Sequence, residues 1–350
     1  MVAHVHRALR VARGSLGHLL AASATISVAW LALAGTRPAA AHGDAAVEPS
    51  AAILIDGWSF EADLWIPVLL TGFFYWRAVV LVDRRHRANP VPRWRMWSWM
   101  LGLAVIVLAL GSPIEFYDTT LFSVHMIQHL LLTMVAAPLL VMGAPITLLL
   151  RVSSPEARKR WVLPVLNSRV VRVISTPVVA WGLFAAVMWL SHFSPLFDAA
   201  LDDVLLHRLE HALFLGTALL FWWPVIGADP SPHRIGHPGR ILYLALGMPL
   251  SSLLGLVIFS ARTPLYEHYQ TLERSWGMTV IEDQQWAGGI MWAGGDLGFV
   301  IALVAAVIIW LRHEEAEGLR EDARIARRRA AEAGSAASAG RTSGPDQSGS

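Results

Sequence analysis

Seven apolar runs, at about 62–82, 94–111, 121–143, 176–192, 203–226, 240–260 and 284–311, constrain this chain more than any other feature. Each is close to the roughly 20 residues a helix needs to cross a hydrocarbon core. Peptide groups find no water in a bilayer, so segments of this length and character must satisfy their own hydrogen bonds as helices. The expected fold is therefore all-α, a polytopic membrane helical bundle of seven spans over 62–311. With 55% hydrophobic and only 15% charged residues, the composition excludes a soluble enzyme of this size. Pro138, Gly247, Pro249 and the glycines of 288–298 interrupt the runs, and neighbouring helices can absorb such interruptions, so kinks are expected there and not ends.

Charge alternates between the connections. Arg84, Arg85, Arg87, Arg93 and Arg95, then Arg151, Arg158, Lys159, Arg160, Arg169 and Arg172, then Arg234 and Arg240 make alternate connections basic. The others carry Glu115 and Asp118, then Asp198, Asp202 and Asp203, then Glu267, Glu273, Glu282 and Asp283. By the positive-inside rule the basic connections and the C-terminus are cytoplasmic and the acidic connections face outward across a bacterial plasma membrane. Residues 1–41 pair a basic start with an apolar stretch and Ala39-Ala40-Ala41, the layout of a secretory signal, with an uncleaved anchor helix as the alternative. Residues 42–61 form an outer segment. Residues 312–350 form a basic cytoplasmic tail, whose Ser, Gly and Ala composition after Glu332 suggests disorder.

The chemistry-bearing pattern is a repeated His-x-x-x-His: His125 with His129, and His207 with His211. Four residues is about one helical turn, so each pair presents two imidazoles on one face. Ionisable groups within spans are functional by default. The charge pattern places both pairs one to two turns below the outer surface. His192 ends the fourth span in the same layer, and Asp283, Gln284 and Met291 enter it from the seventh. The chain has no cysteine, so thiolate sites and iron–sulfur clusters are excluded, and a metal would be held by His125, His129, His207, His211 and Met291. Imidazole suits copper, zinc, iron or nickel, and thioether sulfur favours Cu(I). Gln128 and Glu210 are expected to support the ligands or to bond between helices. The plainer reading of all these histidines is interhelical hydrogen bonding. Asp296, deep in the last span, suggests a proton or ion role or a capped helix interruption, and His268 reads as a solvent-facing residue. No phosphate loop or nucleophile motif stands in a usable context, and nothing points to a nucleic-acid partner.

These residues, read together, resemble the CtaG-type assembly factors of bacterial caa3 cytochrome c oxidases. The match lies in His125-Met126-Ile127-Gln128-His129 continuing to Pro138 and Gly143-Ala144-Pro145, in His207-Arg208-Leu209-Glu210-His211 continuing to Phe221-Trp222-Trp223-Pro224, and in Asp283-Gln284 followed by Gly288-Gly289-Ile290-Met291-Trp292. The resemblance covers about residues 60–311. It implies a non-enzymatic role in maturing the oxidase, with oxidase subunits as partners and copper as the metal supplied. A copper transporter is the alternative from another class. A bis-His haem protein is a third, disfavoured because a haem takes one histidine from each facing helix.

Overall fold

The computed structural model describes residues 48–272 and 275–342, so the signal or anchor reading of 1–41 lies outside the described residues. The described residues form helices and no strand. Six helices are long and apolar enough to cross a membrane, and a bent pair makes a seventh. We number the spans α1 (Ala62–Arg85), α2 (Arg93–Gly111), α3 (Phe122–Leu130, Leu131–Ala136 and Ala137–Met142 in sequence), α4 (Pro177–His192), α5 (Val204–Ile226), α6 (His237–Ser260) and α7 (Val280–Thr342). The described residues up to Val300 form one compact unit, and those from Ile301 to Thr342 form a second. In the second unit α7 continues past Glu332 to Thr342, with alanine, the strongest helix former, recurring at positions 333, 336, 337 and 339.

The fourth run departs from a simple span. Its 16 residues reach only about 24 Å, and after Phe193-Ser194-Pro195 the chain turns by 71° into the short helix Leu196–Asp202. Pro195 accounts for the break, since it lacks an N–H and disfavours helical geometry in the residue before it.

The interruptions in α3 and α6–α7 have different physical outcomes. Ahead of Pro138, residues Leu131–Ala136 adopt a π-helical turn in which Ala137 N donates to Leu132 O, five residues back. The next bond of that series would come from residue 138 to Thr133 O, but proline has no donor. Trp222 Nε1 on α5 supplies it instead, at 2.9 Å. Gly247 and Pro249 lie within an unbroken α6, and the glycines of 288–298 within an unbroken α7. Gly255 and Gly288 instead bring the two backbones together, since a Cβ at Gly288 would fall 2.4 Å from Phe259 N.

Hydrogen bonds between connections sort the helix ends into two groups. At one end Asp229 accepts from Ile146 N and Thr147 N, capping the helix Pro145–Val152, and Arg85 donates to Val152 O at 3.0 Å. At the other end His268 bridges Asp202 (2.7 Å) and Thr119 O (2.9 Å), while Tyr266 donates to His192 O and Tyr269 to Asp118 O. His268 is thus a half-buried clasp between connections, not the solvent-facing residue its sequence context suggested. Burial pushes both phenols above their usual range, so they remain protonated donors. Between the two ends, α1, α2 and α3 pack around Leu103, Ile106, Leu132 and Leu140.

Candidate metal centre

The histidine pairs converge because two carboxylates fix where their helices begin. Asp203 is the N-cap of α5, accepting from Leu205 N and Leu206 N at 2.8 and 2.9 Å. The residue before α3, Leu121, has no capping side chain. Asp283 of α7 takes that role from outside, accepting from Phe122 N (2.8 Å), Ser123 N (3.2 Å) and Ser123 Oγ (2.5 Å). His125 and His207 then fall in the first turn of their helices, with His129 and His211 one turn further on.

Ring centroids lie 4.2 Å apart in the first pair and 4.3 Å in the second. Across the interface His125 is 5.4 Å from His207 and 6.3 Å from His211, and His129 is 5.6 Å from His211. All four rings are buried. Phe122, Phe197, Tyr266 and Tyr269 form an aromatic cover over them, with Phe197 5.1 Å from His125.

Two carboxylates complete the cluster. Asp118, Glu210 and the imidazoles form two overlapping groups, Asp118–His125–His207 and His125–His129–Glu210, whose ligand atoms lie within 4.8 Å of one another. Asp118 Oδ2 is 3.6 Å from His207 Nε2, and burial pushes the Asp118 carboxyl above the usual carboxylate range. Both ring nitrogens of His125 and His129 and both carboxylate oxygens of Glu210 are buried without a hydrogen-bond partner. Each such group costs about 1–3 kcal/mol when left unsatisfied in an interior. Neutral imidazole nitrogens and carboxylate oxygens are the donors a borderline divalent ion takes, so the residues present fit a metal.

The remaining residues singled out in the sequence lie around this cluster in distinct places. Gln128 turns away from it and donates to Ala109 O and Glu115 Oε2. Gln284 holds the connection above the site, accepting from Leu265 N and donating to Thr263 O. His192 ends α4 with its ring 6.1 Å from that of His129. Met291 lines a cavity of about 20 Å³ together with His129 and His192. Asp296 stands apart, bonded to Ser252 Oγ on α6. Sequence reasoning missed Asp118 as a member of the cluster, whereas Glu210, expected to support the ligands, brings an oxygen within 4.8 Å of ring nitrogens of His125 and His129. The signal for Glu210 was present: it lies three residues after His207, on the same helix face. For Asp118, in a connection, no periodicity exists to read.

A second cavity, of about 240 Å³, abuts the cluster at His211. Its wall includes Glu61, Asp63, Glu115 and Arg208, and Arg208 pairs with Glu61 at 2.5 Å and with Asp63.

Comparison with known sequences agrees with this architecture. The profile of the family described as cytochrome c oxidase caa3 assembly factor matches residues 73–313. Uncharacterized proteins of Mycobacterium bovis and Mycobacterium tuberculosis are each 32% identical over 281 residues, and one of Mycobacterium leprae is 29% identical over 272. These alignments take in 78%, 78% and 76% of this chain but only 42%, 42% and 41% of the relatives, so the chain spans less than half their length. No solved structure matches.

Proposed function

The chain belongs to the family of cytochrome c oxidase caa3 assembly factors, and from that membership we propose that it binds copper at the cluster of His125, His129, His207 and His211 and passes the ion to an oxidase subunit. The observation that carries this reading is the convergence of four buried imidazoles from two spans on Glu210 and Asp118, with ring nitrogens of His125 and His129 left without hydrogen bonds. Interhelical hydrogen bonding, the plainer account of buried histidines, does not explain nitrogens that bond to nothing.

Copper is cargo here, and the chemistry is ligand exchange. Imidazole and carboxylate donors release the ion more readily than thiolates would, which suits a chain without cysteine. The cavity beside His211 carries more carboxyls (Asp56, Glu61, Asp63 and Glu115) than its one Arg208 can balance, an excess that favours the approach of a cation. By the charge bias of the connections, that end of the bundle faces outward. The haem reading loses further ground, since centroid separations of 4.2–6.3 Å leave no gap for a porphyrin between the rings.

The test is a His129→Ala, His211→Ala double variant expressed under limiting copper. We expect the protein at normal abundance in the membrane, because the His129 ring has no hydrogen bond to lose and one lost interhelical bond at His211 would cost only about 0.6–2 kcal/mol. The oxidase should be deficient in copper and partly restored by added copper. Normal oxidase activity in that strain would refute the role, and loss of the assembly factor itself would return the histidines to a packing role.

A further inference from the structure

The cavity on the far side of His129 from His125 has a composition that the imidazole–carboxylate cluster lacks. Met126, Met134, Met188 and Met291 line it together with His129 and His192, and the methionines come from three spans, α3, α4 and α7. Met126, His129, Thr133 and Met134 recur along one side of α3, so the packing that buries the first histidine pair also brings two methionines to this cavity. Met126, Met188, His192 and Met291 are all buried. The volume, about 20 Å³, admits one water-sized sphere and no organic molecule.

The tautomer of His192 strengthens the case. Its Nδ1 lies 2.7 Å from Met188 O, and a carbonyl can only accept, so Nδ1 carries the hydrogen and Nε2 carries the lone pair. That Nε2 is buried with no hydrogen-bond partner. A metal-binding imidazole is commonly fixed in this way, with its other nitrogen donating to a backbone carbonyl. Methionines at such a place are ordinarily core filler, but filler does not call for two imidazoles with unbonded nitrogens at the same cavity. Thioether and imidazole donors without a carboxylate select a soft cation.

We propose that this cavity is a second metal subsite, specific for a soft monovalent cation of the Cu(I) type and joined to the imidazole–carboxylate cluster through His129. The proposal rests on the copper reading of that cluster. It adds a division of labour in which the carboxylate-bearing cluster suits a divalent ion and the thioether pocket a monovalent one.

The experiment uses the full-length protein purified in detergent, with Ag(I) as a redox-silent probe for the pocket and Zn(II) as the probe for the cluster. The wild type should bind both ions together, and X-ray absorption at the silver edge should show sulfur neighbours. A Met188→Leu, Met291→Leu variant conserves volume and should fold. Its Ag(I) affinity should fall by about 10–100-fold, the range even for changes beside a ligand set, while its Zn(II) affinity stays unchanged and a Met96→Leu, Met100→Leu control behaves as wild type. Unchanged Ag(I) affinity in the first variant, or silver surrounded only by nitrogen and oxygen in the wild type, overturns the pocket. Zn(II) binding without Ag(I) binding overturns the pocket and leaves the cluster standing, whereas binding of neither ion overturns both.

Discussion

Replacing Asp283 by alanine tests whether the metal centre depends on a cap borrowed from a distant helix. The side chain is 1% exposed and accepts three hydrogen bonds from Phe122 and Ser123. Loss of an N-cap costs about 1–2 kcal/mol. The Ser123 hydroxyl, itself buried, loses its acceptor as well, adding about 1–3 kcal/mol. The sum, about 2–5 kcal/mol, is large for a single substitution. Asn at 283 keeps the shape and one acceptor oxygen but turns its amide toward a donor, so Asp283→Asn should fall between alanine and wild type. Thermal unfolding of the metal-free protein in detergent reads the stability, and Zn(II) titration reads the site. We expect both to weaken, since His125 lies only three residues from the start of α3. Glu282 supplies the control: it bonds Thr279 at the exposed surface, and Glu282→Ala should leave the unfolding midpoint near that of the wild type. A wild-type unfolding midpoint for Asp283→Ala would refute the argument that this carboxylate secures the helix.

Two further outcomes follow from the cluster and from the connections. Glu210→Gln should leave the stability of the metal-free protein close to wild type, because a buried side-chain amide without hydrogen bonds is costly like the carboxyl it replaces, yet weaken metal binding; unfolding and titration of the same preparation would separate the two effects, and unchanged metal affinity would remove Glu210 from the ligand set. Because the chain has no cysteine, single Arg160→Cys and Asp203→Cys variants report orientation: a membrane-impermeant maleimide on intact cells should label position 203 only, and labelling of 160 alone would invert the assigned orientation.

Much of this molecule is written in periodicities. The apolar runs locate the spans because hydrocarbon thickness sets their length, and α2 and α3 begin and end within a residue of the runs at 94–111 and 121–143. The His-x-x-x-His pairs mark two faces that meet, since equal depth follows from counting residues below the same surface. What periodicity cannot encode is a change of direction or a contact made by a connection. The 71° turn after His192 depends on Pro195, and it is the end of α4 that contributes Met188 and His192 to the soft pocket. Asp118 reaches His207 from a connection, where neither a 3.6 nor a 2.0 repeat applies. The sequence places Asp283 in the histidine layer as a supporting residue, and its work as the cap of another helix becomes visible only with α3 and α7 side by side. Glu210, expected to support the ligands, stands beside His125 and His129 because of its i, i+3 relation to His207, a spacing legible in the sequence.

The cap on α3 also sets a clock. Phe122 and Asp283 are 161 residues apart in sequence, so at about 5–20 residues per second the acceptor follows its donors out of the ribosome roughly 8–32 s later. During that interval the first histidine pair stands on a helix whose leading N–H groups lack their native acceptor. The second pair enters the membrane before the cap as well, but it cannot yet dock on a settled partner. The histidine cluster therefore gains its full support only when the last span is inserted, and a nascent chain that stalls earlier holds its imidazoles on an uncapped frame.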